Sequence, residues 1–334
     1  MRGILAIPAT LLLLLPAAVL YLNTALAQGE AVPAPPAPVE PPAVHVAVPE
    51  QPATPTAPPQ DQMGTPQESG TQVASADRPP AWDKAPLLAE AVERAMSDFT
   101  GDFSVIVQQL ESDLSWTYQP DQRYHPASTI KMPVTLYALE QYRAGKASWQ
   151  DLIQYTAADF ESPGGGAFET APFGGLYPIE NLVGRALKYS NNVAVNMLGR
   201  HFGWDQIRKW TTTIGGDLYR EPDGSPRVTA RSELGWWLHL YKLSQEDPQS
   251  AELLLQPLRE VAYNGRITAG LPKGISHLHK FGSYNGSYHD GGIIYAETPY
   301  VLIVLTHGAT EDQADAAIAR LSAEVYKVMT SDKA

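Results

Sequence analysis

Cysteine is absent from this 334-residue chain. That absence excludes disulfide staples, thiol nucleophiles and cysteine-bound metal centres together. Positive charge is scarce: 24 Lys and Arg stand against 36 Asp and Glu, a formal net charge of −12. With no Lys/Arg stripe to release counterions from phosphates, nucleic acid is not expected as a partner. Aromatic residues are missing altogether from residues 31–80, where the only Lys or Arg is Arg78, against Glu40, Glu50, Asp61, Glu68 and Asp77. Proline is the exception there, with 14 of the chain's 29 prolines between Pro33 and Pro80. Such a stretch cannot bury enough apolar surface to offset its chain entropy. It predicts a disordered, partly polyproline linker over residues 28–80, leaving 81–334 as one folded catalytic domain.

Residues 1–27 carry one early cation, Arg2, then an apolar run from Ile4 to Leu22, then Ala25-Leu26-Ala27. Small residues at 25 and 27 match a secretory cleavage site, so the segment reads as a signal peptide. An uncleaved anchor with the Pro-rich stretch as its stalk is the alternative. Either way the domain is expected to work outside the cytoplasm, touching a membrane only through this segment if it is retained.

Periodicity gives a coarse element map. Apolar residues at helical spacing predict helices over Ala85–Phe99, Ser128–Tyr142, Ile179–Tyr189, Asn192–Phe202, Trp204–Thr213, Ser232–Leu243 and Glu311–Met329. Phe103–Leu110 and Leu114–Gln119 read as a hairpin, and His277–Gly282, Ser287–Ala296 and Tyr300–His307 as strands. Asn285-Gly286 is a favoured two-residue turn. Strands at both ends and helices in the middle predict an α+β fold: an antiparallel sheet flanked by terminal helices, plus an all-helical subdomain.

Three short motifs carry chemistry. Ser128 and Lys131, at i and i+3 on a helix start, share one face, so a lysine kept neutral by burial or neighbouring cations could take the serine proton. Ser190-Asn191-Asn192 sits at a junction between helices, where a hydroxyl and an amide could relay a proton and hold a substrate amide. His279-Lys280-Phe281-Gly282-Ser283 lies on a strand: Lys280 adds positive charge, Gly282 lets a substrate approach the backbone, and the Ser283 N–H could join that of Ser128 in binding an oxyanion. Taken singly, the first two motifs read rather as helix caps, and the third also reads as an ordinary strand with a snorkelling lysine.

Together, in this order and these settings, they resemble the S-x-x-K, S-D-N and K-T-G set of class A β-lactamases and penicillin-binding proteins. The segments HPASTIKMPVTLYALEQ, LVGRALKYSNNVAVNMLGRHFG and LPKGISHLHKFGSYNGSYHDGGIIY extend the likeness over about residues 85–330. The resemblance implies a β-lactamase/transpeptidase-like fold and a serine hydrolase that opens β-lactam rings through a Ser128 acyl-enzyme. It implies Lys131 as base, Ser190 as proton shuttle to the leaving nitrogen and Asn192 as ligand of the substrate amide. Lys280 would be the electrostatic partner, Gly282 and Ser283 the strand contacts.

The departures matter. Asn191 replaces the usual Asp, and Phe281 cannot supply the hydroxyl that usually helps hold a substrate carboxylate, for which Ser283 is the nearest substitute. For the deacylating glutamate the best match is Glu221, in Tyr219-Arg220-Glu221-Pro222, with Glu161 and Glu169 more remote. The alternatives in function are a D,D-peptidase or esterase acting on peptidoglycan peptides, and a catalytically degenerate wall-binding module. No metal or cofactor is expected, since His277 and His279 have no third ligand at a matching spacing. The substrate is expected to be a small β-lactam or peptidoglycan peptide, and the protein a monomer.

Overall fold

The computed structural model describes residues 82–331; the signal peptide and linker expected over residues 1–80 lie outside it. Helix α1 (Ala85–Met96) leads into β1 (Asp102–Gln109) and β2 (Ser115–Tyr118). A 3₁₀ turn (Ala127–Ile130) precedes α2 (Lys131–Arg143), and a small hairpin, β3 (Leu152–Gln154) with β4 (Leu176–Pro178), brackets the Gly-rich loop. Then come α3 (Ile179–Lys188), α4 (Asn192–Phe202), α5 (Trp204–Thr211), β5 (Tyr219–Arg220), β6 (Pro226–Arg227), α6 (Ala230–Glu246) and α7 (Pro248–Arg259). The chain closes with α8 (Ile267–Gly270), β7 (His277–Tyr284), β8 (Ser287–Ile294), β9 (Tyr300–His307) and α9 (Glu311–Met329).

The five-stranded sheet has the order β2-β1-β9-β8-β7. β1 pairs antiparallel with β9 from Asp102↔His307 to Gln109↔Tyr300, which joins the two hairpins expected at either end of the domain into one sheet. The run Tyr300–Leu305 is apolar throughout because β9 is covered on both faces. Val301, Ile303 and Leu305 enter the core under the helical region, while Tyr300, Leu302 and Val304 enter a second core under α1 and α9. The stripe Ala314, Ala317, Ile318, Leu321, Val325 and Val328 of α9 is buried as its spacing predicts.

Three local differences from the sequence reading have physical causes. The helix expected from Ser128 begins as α-helix only at Lys131. Pro133 has no N–H to give the Thr129 carbonyl, so the preceding turn tightens to 3₁₀ and carries Ser128 with it. Helix α7 was not expected, because Pro257 interrupts its pattern, yet Asp247 caps it through Ser250 N and Pro248 fills its first position. Helix α1 stops at Met96, short of Phe99. Trp236 and Trp237 are core residues of α6, both fully buried.

Leu321 is fully buried between the sheet and α1. Leu321→Ala should cost about 2–5 kcal/mol, read from the urea midpoint at unchanged m-value. A loss under about 1 kcal/mol would show that the terminal helices are not tightly packed on the sheet.

Candidate active site

The three motifs meet at the sheet's β7 edge. Gly282 of β7 lies against the 3₁₀ turn so closely that a Cβ there would stand 2.9 Å from Ser128 N and 3.0 Å from Ala127 Cβ. Only glycine permits this approach. Two residues beside the chemistry hold positive φ without being glycine: Ala127, just before the nucleophile, at 48°, and Ser190 at 54°. Such backbone costs on the order of 1–3 kcal/mol per residue and persists only where the surroundings impose it.

Lys131 is 1% exposed and makes three contacts through Nζ: Ser128 Oγ at 2.7 Å, Asn192 Oδ1 at 2.6 Å and Ser190 Oγ at 3.3 Å. Burial pulls its pKa down to about 7, opposed by the carboxylate of Glu161. In the free-base form two N–H groups serve Asn192 and Ser190, and the remaining lone pair faces the Ser128 hydroxyl. Lys280, also 1% exposed, donates to Ser190 Oγ at 3.0 Å and to the Phe281 carbonyl at 2.7 Å. Burial first, then the Lys131 charge, holds its pKa well below the usual range. Ser190 Oγ thus accepts from both lysines and keeps its own proton for a third group.

Asn191 accounts for the change from Asp. Its Oδ1 caps α4 by accepting from Ala194 N at 2.8 Å, and its Nδ2 donates to the Gly165 carbonyl at 2.6 Å. A carboxylate could do the first and not the second. The Gly-rich loop is docked here, with Asn192 N donating to the Gly164 carbonyl at 2.9 Å.

The carboxylate in the Lys131 network is Glu161, which accepts from Asn192 Nδ2 at 2.7 Å and from Asn196 Nδ2 at 3.0 Å. Glu169 instead accepts from Gly164 N and Gly165 N within the loop. Glu221 sits at the β5–β6 hairpin with ion pairs to Arg123 (3.8 Å) and Arg227 (3.9 Å). Among the described residues no hydrogen bond or ion pair joins it to Ser128, Lys131, Ser190 or Asn192. The hairpin is short, with Gly224 N bonded back to the Glu221 carbonyl, and the side chain lies near Arg227 of the same hairpin and Arg123 of the segment before the nucleophile turn. The role expected for Glu221 therefore finds no contact in this arrangement.

Three residues beside the site carried no signal in the sequence. Glu233 is fully buried under the nucleophile turn, and burial pushes its pKa up to about 8. Arg266 is fully buried behind β7, and Glu311 stands at the start of α9. His277 and His279 bond Thr268 Oγ1 at 2.8 and 3.3 Å, and His279 Nδ1 lies 3.1 Å from Asp290.

A serine hydroxyl against a dry lysine, with a second lysine behind a shared serine, defines a serine hydrolase of the β-lactamase/transpeptidase type. The model of the β-lactamase enzyme family matches residues 87–329, and the chain belongs to that family. Among curated relatives, β-lactamase CTX-M-6 of Salmonella typhimurium is 25% identical over 258 residues, covering 72% of this chain and 86% of its own. A β-lactamase of Rhodobacter capsulatus is 28% identical over 142 residues, covering 42% and 48%. In fold, a β-lactamase from Sphaerobacter thermophilus superposes with a TM-score of 0.65 at 23% identity, covering 72% of this chain and 96% of its own. PBP-A superposes at 0.68 with 20% identity, covering 75% and 98%.

Two outcomes test the site. Acylation should rise with pH through an apparent pKa of about 7 as Lys131 loses its proton, measured as the second-order rate of adduct formation. A flat profile between pH 5 and about 9 would remove Lys131 as the base. Gly282→Ala should slow acylation by about 100-fold or more and lower the unfolding free energy by about 1–3 kcal/mol, because the new methyl collides with the backbone of the nucleophile turn.

Proposed function

We propose that this protein is acylated by β-lactams at Ser128 and releases the product slowly. The observation that carries this is the 2.7 Å contact between Ser128 Oγ and a buried Lys131 whose pKa lies at about 7. Lys131 as free base takes the hydroxyl proton while Ser128 Oγ bonds to the ring carbonyl carbon. The oxyanion is received by the N–H groups of Ser128 and Ser283. The C–N bond then breaks as Ser190 delivers its proton to the ring nitrogen and is reprotonated from the lysine pair. Asn192 holds the amide of the substrate side chain, and Lys280 donates to Ser190 Oγ and orients it.

Hydrolysis of the ester needs a base on a water molecule. With Glu221 near Arg123 and Arg227, and Glu161 separated from Lys131 by the Asn192 amide, no carboxylate among the described residues is bonded to Ser128 or Lys131. The adduct should outlast that of an efficient β-lactamase. The same observation favours the second reading, a D,D-peptidase or esterase acting on peptidoglycan peptides. A PBP-A variant solved as an acyl-enzyme with penicillin G offers a parallel. The export segment read in the sequence at residues 1–27 supports an activity outside the cytoplasm.

Intact mass after incubation with penicillin G is the test. Wild type should gain one penicillin and hold it for minutes, Ser128→Ala should gain none, and chromogenic cephalosporin turnover should be weak. An adduct on Ser128→Ala would end the assignment of the nucleophile. Glu221→Gln should leave the adduct lifetime unchanged. A lifetime lengthened by about tenfold or more would restore Glu221 as the deacylating base.

A further inference from the structure

The group beyond the oxyanion position on β7 is already engaged. Arg266 is fully buried, and all five of its N–H donors have acceptors. Nε donates to Asp315 Oδ1 at 2.7 Å. Nη1 donates to the carbonyls of Gly282 at 2.8 Å and His289 at 2.7 Å. Nη2 donates to Ser283 Oγ at 2.8 Å and to Glu311 Oε1 at 3.0 Å. The Ser283 hydroxyl in turn donates to the same Glu311 oxygen at 2.6 Å. Phe281 supplies no hydroxyl and packs instead on Tyr263, with ring centroids 4.7 Å apart, and beside the guanidinium. The donors that could hold an anion beside Ser283 are therefore spent on Glu311, and two carboxylates, Glu311 and Asp315, face one guanidinium.

We propose that Glu311 occupies the place of a leaving-group carboxylate and makes this end of the cleft selective for acyl donors whose leaving group is neutral or cationic there. The inference rests on the acyl-enzyme reading above and names its substrate class. An incoming carboxylate would have to displace Glu311 from Ser283 and Arg266 and then sit beside its displaced charge, whereas an amide or ester meets no like charge. Glu311 is half exposed and sits at the start of α9, so its replacement leaves both cores intact.

The test compares matched acids and neutral forms on the full chain by intact mass and acylation rate. One pair is penicillin G and its methyl ester. The other is a phenylacetylglycyl ester of 3-hydroxybenzoate and of 3-hydroxybenzamide, which needs Ser128 but no lactam ring. Wild type should acylate with the neutral member of each pair at least as fast as with the acid. Glu311→Gln should move the acid-to-neutral ratio toward the acid by about tenfold or more, and Glu311→Ala in the same direction. A strong wild-type preference for the acids, or a ratio unmoved in both variants, overturns the proposal. If the aryl esters react and neither penicillin form does, the β-lactam reading fails while the ester ratio still decides the role of Glu311. Silence toward all four overturns both.

Discussion

Two amines share one hydroxyl, and both are dry. Lys131 and Lys280 each reach Ser190 Oγ, at 3.3 and 3.0 Å, from elements far apart in sequence. Two ammonium groups that close, shielded from water, cannot both stay charged at ordinary cost. Burial brings Lys131 to a pKa of about 7 beside Ser128, while burial and the Lys131 charge together hold Lys280 well below its usual range. The rest of the domain keeps the Lys131 amine in place. The 3₁₀ turn presents Ser128 to Lys131, the Gly-rich loop closes over Asn192, and β7 brings Lys280 in from the other side.

The sheet makes this possible by leaving β7 at its edge. An interior strand would have both sides filled by neighbours, whereas an edge strand has one side open to a nucleophile turn and to a substrate. The doubly covered β9 supplies the rigidity, with alternate side chains locked into separate cores. The reactive strand β7 is joined to β9 through β8, so the site is carried on a sheet whose centre is tightly packed.

Much of this was legible in the sequence because it is periodic or local. The apolar run of β9, the stripe of α9 and the Asn285-Gly286 turn each follow from short-range rules. The turn holds φ of 41° and 80° at its two central residues. The pairing of Lys131 with Ser128 followed from their i, i+3 spacing. What was not legible depends on contacts between segments distant in the chain. Arg266 gives no hint in Asn264-Gly265-Arg266-Ile267 that all five of its donors will be used inside the protein. Glu233 reads as a surface residue of α6 until the nucleophile turn packs over it. Glu221 had the right neighbours in sequence, but the two-strand hairpin sets its side chain near the guanidinium groups of Arg227 and of the distant Arg123, which no local pattern reveals. Asn191 looked like a lost carboxylate and is instead a donor that only the docked Gly-rich loop makes necessary.

The left-handed backbone at Ala127 and Ser190 has a consequence for how this protein can change. Each position lies where glycine would relieve strain at once, and each is occupied by a residue with a side chain. At Ser190 the side chain is the point where the lysines meet, so relief there would empty the site. At Ala127 the methyl stands against Gly282, wedging the turn toward the strand. Selection for a more stable fold and selection for a reactive serine therefore pull against each other at these two residues. A lineage that abandoned acyl transfer would be free to relax them first.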